Sequence, residues 1–330
     1  MQLVNVLKTC PQLIKLVSLN GLQAPVGGQH DGIDEPNAID DAYIADMVEY
    51  VMEGMHSDGK PTDPPPISLS RLRYAEFSGY GPYVYLVLRR LQTPSNAIFD
   101  IEYPNDPEGI RDVMSGVRTQ LASLPVLILT AIDEWPHGVE LYFTKVLATV
   151  PKGTRYAGRG GVSLKTLIKP EHTPEILDAH PIPSAVQTLA FVGHEDMSVI
   201  RDPRGLLRPL RRYSTVTTIY AQENAGGLFG ALAEDLGEAE DFIFPGLQNI
   251  IVHHPEEDYP LGCVWWQELV VYLRARKTAG CAVRRLTVKG NLCHLYGKRG
   301  EDDQELTLET EREFVEEIVD ERDDVCRCSN

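Results

Sequence analysis

Val186-Gln-Thr-Leu-Ala-Phe-Val-Gly193 and Val283-Arg-Arg-Leu-Thr-Val-Lys-Gly290 share one pattern: apolar, two variable, apolar, one variable, apolar, then glycine close behind. In an extended chain, residues two apart share a face, so Leu189 and Phe191, like Leu286 and Val288, point one way and the residues between them point the other. The pattern returns along the chain. Leu72-Ala75-Phe77 is followed by Gly79, and looser copies are Ile98-Ile101-Tyr103, Val126-Leu129-Ala131, Val216-Ile219-Ala221 and Leu247-Ile250-Val252. Leu13-Leu16 begins another, with Asn20-Gly21 after it. The copies start at 13, 72, 98, 126, 186, 216, 247 and 283. Most steps are near thirty residues and two are about twice that, and Val162–Leu167 is expected to be the missing copy in the second long gap.

The stretches between the copies read as helices. Pro82–Leu91 opens on a proline suited to a first helical turn and is closed by Pro94. Pro107 opens a second helix, with Ile110, Val113, Met114, Val117 and Leu121 on one face. Trp265–Ala279 carries Trp266, Leu269, Val270 and Leu273 as its stripe and stops at Gly280. Leu3, Val6 and Leu7 make a short stripe stopped at Pro11. A strand plus a helix, repeated in one direction, stacks into a parallel sheet with helices outside. The expected fold is therefore α/β: an irregular leucine-rich-repeat-type solenoid over 1–330 with a parallel concave sheet and outer helices.

Three segments interrupt or end the array. Residues 24–66 read as an insertion ending in a Pro-rich linker, because three successive prolines (64–66) cannot donate backbone hydrogen bonds. Residues 151–183 read as a loop or a degenerate repeat. From Glu301 onward there are 13 acidic against 3 basic side chains, and Phe314, Val315, Ile318 and Val319 sit at helical spacing among them. Residues 301–330 are thus expected to be an acidic capping helix and tail.

The chain has 330 residues and a net charge of -17, which argues against a nucleic-acid partner needing a basic face. Its longest apolar run, Pro125–Ile132, falls far short of the ~18 residues a membrane span needs. Six scattered cysteines with no C-x-x-C pair suggest a reduced, intracellular protein, cytoplasmic or nuclear, without a structural metal.

Several stretches resemble the repeat region of fungal F-box/leucine-rich-repeat-like proteins. Cys10-Pro-Gln-Leu-Ile-Lys-Leu16 resembles a repeat opening, and Ile67-Ser-Leu-Ser-Arg-Leu-Arg-Tyr74 and Phe244-Pro-Gly-Leu-Gln-Asn-Ile250 resemble strand leaders. Leu88-Arg-Arg-Leu-Gln-Thr-Pro94 and Leu273-Arg-Ala-Arg-Lys-Thr-Ala-Gly280 are similar to the family's helix ends. The resemblance implies a non-catalytic protein-recognition module that captures a substrate for ubiquitination, and no cofactor. The family's F-box, which binds the Skp1-type adaptor of a ubiquitin ligase, is not visible before the first repeat. Tight adaptor binding is therefore not expected of this chain, and a repeat-only scaffold with no ligase link is the alternative within the class.

The enzyme alternative is an α/β hydrolase or glycosidase-like protein using Asp133 or Glu134, which follow an apolar strand, with Glu140 or Glu171 as the second carboxylate. Gly158-Arg-Gly-Gly161 lacks the Lys-Ser/Thr of a P-loop, and His253 and His254 point to opposite faces of a strand. No catalytic, cofactor or metal constellation emerges. The outward positions of the repeats instead supply a protein-binding face: Lys15, Tyr74, Glu76, Asp100, Glu102, Thr188, Thr218, Tyr220, Gln222, Asn249, His253, Arg285, Thr287 and Lys289. Read in order, that face runs from acidic, through hydroxyl and amide groups, to basic.

Overall fold

The computed structural model describes residues 7, 12–18, 66–78, 81–103, 107–132, 138–147, 161–166, 168–192, 200–222, 226–238, 242–254, 262–291 and 311–323. Thirteen strands lie among them: β1 (Lys15–Ser18), β2 (Ile67–Ser68), β3 (Tyr74–Ser78), β4 (Leu91–Gln92), β5 (Ile98–Tyr103), β6 (Val126–Ile132), β7 (Gly138–Thr144), β8 (Val162–Thr166), β9 (Thr188–Val192), β10 (Thr218–Gln222), β11 (Asn249–His254), β12 (Val283–Asn291) and β13 (Val315–Asp323). The helices are α1 (Gly81–Leu88), α2 (Pro107–Gly116), α3 (Arg118–Leu121), α4 (Thr173–Ala179), α5 (Pro203–Leu210), α6 (Gly226–Glu238) and α7 (Gly262–Thr278). Eleven strands form one sheet in the order β1-β3-β5-β8-β7-β6-β9-β10-β11-β12-β13, and β2 pairs with β4 apart from it. The two end strands do not pair with each other, so the sheet is not a closed barrel.

Each expected strand copy lies on a strand of this sheet. The inward residues, such as Leu189, Phe191, Ile219, Ile250, Leu286 and Val288, are buried in one large apolar cluster. Helical residues complete it, among them Ile110, Val113, Leu206, Leu228, Phe229, Leu269 and Leu273. The separate cluster on the opposite face is built from strand residues, with Leu147 beside it. Helices pack in a row in chain order, α1 on α2, α2 on α4, then α4, α5, α6 and α7 in succession. Among the described residues, no helix is long and apolar enough to cross a membrane.

The sheet steps from strand to strand through one recurring contact. The Ile14 carbonyl accepts the N–H groups of Arg73 (2.8 Å) and Tyr74 (3.3 Å), and that of Pro125 accepts Gln187 (2.7 Å) and Thr188 (3.0 Å). Gln187 does the same for Thr217 and Thr218, Thr217 for Gln248 and Asn249, and Gln248 for Arg284 and Arg285, all within 2.8–3.1 Å. Register also corrects two copies. Phe99 pairs with Ala75 and Leu127 with Leu189, so the matching triplets are Asn96-Phe99-Ile101 and Leu124-Leu127-Leu129, two residues earlier than expected. A slip of two leaves every side chain on its own face, which is why alternation alone did not reveal it.

Strand order departs from chain order once. β6 lies beside β9, not β5; β7 runs antiparallel between β6 and β8, and β8 returns parallel beside β5. The segment expected at 151–183 to be a loop or degenerate repeat is, in its described part, β8, a turn of 3₁₀ helix at Pro170–His172, α4 and a second 3₁₀ turn at Pro183–Ala185. It is thus a strand-and-helix unit set out of order. Gly161 permits the squeeze between β5 and β7: its φ is +141°, and a Cβ there would lie 1.9 Å from the Phe143 carbonyl oxygen. The 24–66 insertion lies outside the described residues except for Pro66.

The acidic C-terminal segment is a correction. Val315–Asp323, expected as a helix, is an edge strand paired parallel to β12. Its acids match the bases of that neighbour: Arg285 Nε lies 2.7 Å from Glu317, Lys289 Nζ 2.9 Å from Glu321, and Arg284 Nε 3.8 Å from Glu316. Cross-strand pairing of opposite charges, with β-branched Val315, Ile318 and Val319, outweighs helical spacing here. Charges along the outer edge also discourage edge-to-edge association.

Beneath the reversed strands, His180 is buried and stacks on the Phe143 ring at 5.2 Å between centroids, with Tyr213 5.9 Å away. Among the described residues, neither ring nitrogen has a hydrogen-bond partner. Burial, helped by the nearby Arg212 guanidinium, lowers its pKa to about 4. The unfolded chain, with an ordinary value near 6.5, binds a proton that the folded state refuses. Stability is therefore full above about pH 6.5 and falls as pH drops toward 4, by on the order of 3 kcal/mol. Chemical denaturation of His180→Phe against the parent should show the variant gaining relative stability across that window. A constant difference between them from pH 7 to pH 4 would contradict the assignment.

Candidate recognition face

Alternation puts every second residue of the sheet on the face opposite the helices, and register joins these positions across the strands. One row runs Glu76, Asp100, Ser163, Tyr142, Ile128, Ala190, Tyr220, Ile251, Thr287. The row on one side of it holds Glu102, Lys165, Glu140, Gln222, His253, Lys289 and Glu321. The row on the other side holds Thr188, Thr218, Asn249, Arg285 and Glu317, with Lys15 and Tyr74 at the far end. All the positions expected on this face share it.

Their accessibility divides the face into three zones. At the β3-β5-β8 end, Glu102 is exposed and Tyr74, Glu76 and Asp100 are half-buried. The Tyr74 hydroxyl donates to Glu76 Oε2 at 3.0 Å, and Lys15 Nζ lies 5.1 Å from the Tyr74 ring centre. Burial, then the Glu76 hydrogen bond and the Asp100 charge, push the Tyr74 pKa up to about 12. Lys165 Nζ approaches Glu102 at 3.6 Å, and the Ser163 hydroxyl donates to Glu140 Oε1 at 3.3 Å. Burial raises the Glu140 pKa above the usual carboxylate range, opposed by hydrogen bonds from Tyr142 and Ser163 and by the Lys165 charge.

In the middle, Val126, Ile128, Tyr142, Ala190, Val192 and Tyr220 form a buried apolar cluster. This corrects the role expected of three residues. Tyr220, Gln222 and Thr287 are 4%, 8% and 7% exposed, and the Tyr220 hydroxyl donates to Gln222 Oε1 at 3.1 Å. They lie on the expected face but beneath its surface, so substituting them perturbs packing before it perturbs binding. Thr188, Thr218 and Asn249 are half-buried, and Asn249 Nδ2 donates to Thr218 Oγ1 at 3.3 Å.

At the far end, His253 and Lys289 are half-buried and Arg285 is exposed. The expected basic terminus is neutralised, because Glu317 and Glu321 of β13 pair with Arg285 and Lys289. The charge on the face therefore lies at the other end, where Glu76, Asp100, Glu102 and Glu140 meet Lys15 and Lys165. Glu140, Tyr142, Ser163 and Lys165 were not among the residues expected here. Alternating apolar positions in Gly138-Val-Glu-Leu-Tyr-Phe-Thr144 were the available signal, but nothing local says that this strand enters the sheet in reverse.

Asp133 and Glu134 lie outside the described residues. Among the described residues, no three of His, Cys, Asp and Glu gather so as to hold a metal ion. Comparison with protein-family models, with characterised proteins and with solved structures finds no match for the chain.

Glu140→Gln tests the electrostatics of this end. A raised folded-state pKa means that ionising Glu140 disfavours the folded state, so its contribution is full at low pH and is lost as pH rises through the folded value. The glutamine keeps an acceptor for Ser163 and cannot ionise. Thermal unfolding should show the variant more stable than the parent at pH 7.5, with the gain gone near pH 4; a variant less stable at pH 7.5 would contradict the reading.

Proposed function

We propose that the chain is an irregular leucine-rich-repeat-type recognition module, and that the β3-β5-β8 end of the sheet face opposite the described helices binds a basic segment of a protein partner. The reading rests above all on the position of Glu76, Asp100 and Glu102, accessible to solvent in adjacent register on a face that, among the described residues, no helix covers. Support for the repeat architecture comes from the parallel strands stepping by the same bifurcated hydrogen bond, with helices in a single row. The sequence motifs that resemble fungal F-box/leucine-rich-repeat-like proteins suggest the setting, capture of a substrate for ubiquitination. The proposal involves no catalytic step and no cofactor.

Specificity on such a face follows electrostatic complementarity, which acts mainly on encounter and orientation. An octa-arginine peptide is a suitable probe of the full chain. Asp100→Lys combined with Glu102→Lys should weaken its binding about tenfold at low salt, with the difference shrinking at high salt. Glu171→Lys with Glu175→Lys makes the same change in net charge on the helical side and should leave binding nearly unchanged. Equal losses from both variants would mean that the peptide reads net charge alone and would sink the assignment of the face.

A further inference from the structure

A pocket of about 400 Å³ lies at the leading ends of β1, β3 and β5, lined by Ile14, Ser70, Arg71, Leu72, Arg73, Pro94 and Asn96. Its walls are two backbone turns. Leu72 N–H donates to Leu69 O at 3.0 Å, and Ala97 N–H donates to Pro94 O at 3.0 Å. Arg73 is fixed between neighbouring strands, its N–H donating to Ile14 O (2.8 Å) and its carbonyl accepting from Ile98 N–H (2.8 Å). Leu72, 1% exposed, anchors the segment in the core, so the pocket is preformed rather than assembled by mobile side chains.

The lining is basic in an acidic chain. Several other arginines meet carboxylates: Arg204 bonds Glu234 at 2.8 Å, Arg285 bonds Glu317 at 2.7 Å, and Arg208 and Arg211 pair with Asp178 and Asp235. Arg71 and Arg73 are exposed and, among the described residues, make no ion pair or side-chain hydrogen bond. Among the described residues no acidic side chain lines the pocket; the Ser70 hydroxyl and Asn96 amide add further donors, while Ile14, 55% exposed, and Pro94 offer an apolar wall. A volume of this size is that of a small-ligand site.

We propose that this pocket binds a phosphomonoester whose short organic group packs against Ile14 and Pro94. Two guanidiniums carry the charge that a phosphate near its second ionisation balances, and their forked N–H groups match its oxygens. With the serine and the amide they offer more donors than a carboxylate with two oxygens can use. The same chemistry is carried by a free small phosphate and by a phosphorylated side chain of a partner.

Ligand-observed NMR titration of the full chain with phenyl phosphate, inorganic phosphate and benzoate tests the proposal. Phenyl phosphate should bind more tightly than either of the others, and Arg71→Gln with Arg73→Gln should weaken it by at least about tenfold, whereas lysine at both positions should retain part of the affinity. Circular dichroism should be unchanged, since both side chains are exposed. A phosphoserine peptide binding more tightly than phenyl phosphate would place the group on a protein; no gain would place it on a small molecule. Absence of phenyl phosphate binding, affinity unchanged by the double glutamine variant, or benzoate binding as well as phenyl phosphate would each overturn the assignment.

Discussion

One backbone oxygen at each of five steps, shared by two successive N–H groups of the following strand, holds the rest of the structure in place. Ile14, Pro125, Gln187, Thr217 and Gln248 each supply it one residue after the first position of the triplet. The contact fixes where the next strand begins, and alternation then decides which side chains enter the core. A slip of one residue would turn Leu189 or Leu286 out to solvent and bring a threonine or arginine in, so burial and hydrogen bonding enforce the same register. Two arginines, one buried and one exposed, tie helix ends to the preceding unit in the same manner. Arg276, fully buried at the end of α7, donates to the carbonyls of Phe244 (3.2 Å) and Leu247 (3.4 Å), and Arg212 after α5 donates to that of His180 (3.1 Å). Phe244 adopts φ +55° in presenting its carbonyl, a conformation costly for a bulky residue and tolerated because Arg276 and the Leu247 amide both use that oxygen.

The reversed trio β6, β7 and β8 is where this logic is broken and where polar chemistry collects. Inserting an antiparallel strand brings Glu140 and Tyr142 beside Ser163 and Lys165, and these join the acids of β3 and β5. On the opposite face the same strand presses Phe143 on His180. The acidic end of the sheet face opposite the helices and the acid-sensitive histidine are thus two sides of one topological event.

Much of the fold was legible in the sequence. Period-two alternation with a glycine behind it marked the strand copies, and Pro107 and Gly280 marked helix limits that the structure repeats, the latter with φ +76°. Faces were legible too, because a two-residue error in register preserves them. What escaped notice was long-range: that β8 pairs with β5 while β6 waits for β9, and that the acidic run at 315–323 finds a basic strand to lie against. Spacing in Phe314, Val315, Ile318 and Val319 suits a helix as well as a strand, and only the row of Arg284, Arg285 and Lys289 on the neighbour decides it. The same partners cancel the charge gradient expected on the face. Burial of Tyr220 was equally beyond a local reading, since it depends on the apolar cluster formed by four strands.

The central claim is that the sheet remains open, with β1 and β13 as its two separate ends. Ten strand-to-strand spacings of about 4.8 Å place those ends about 48 Å apart along the sheet, and curvature shortens the direct path without bringing them into contact. Spin labels at Lys15→Cys and Glu321→Cys, both exposed positions, in a background free of the native cysteines, report that distance by pulsed electron resonance. The account predicts a separation of several tens of ångströms. Labels within about two strand spacings, ~10 Å, would mean that the sheet closes on itself, and would contradict it.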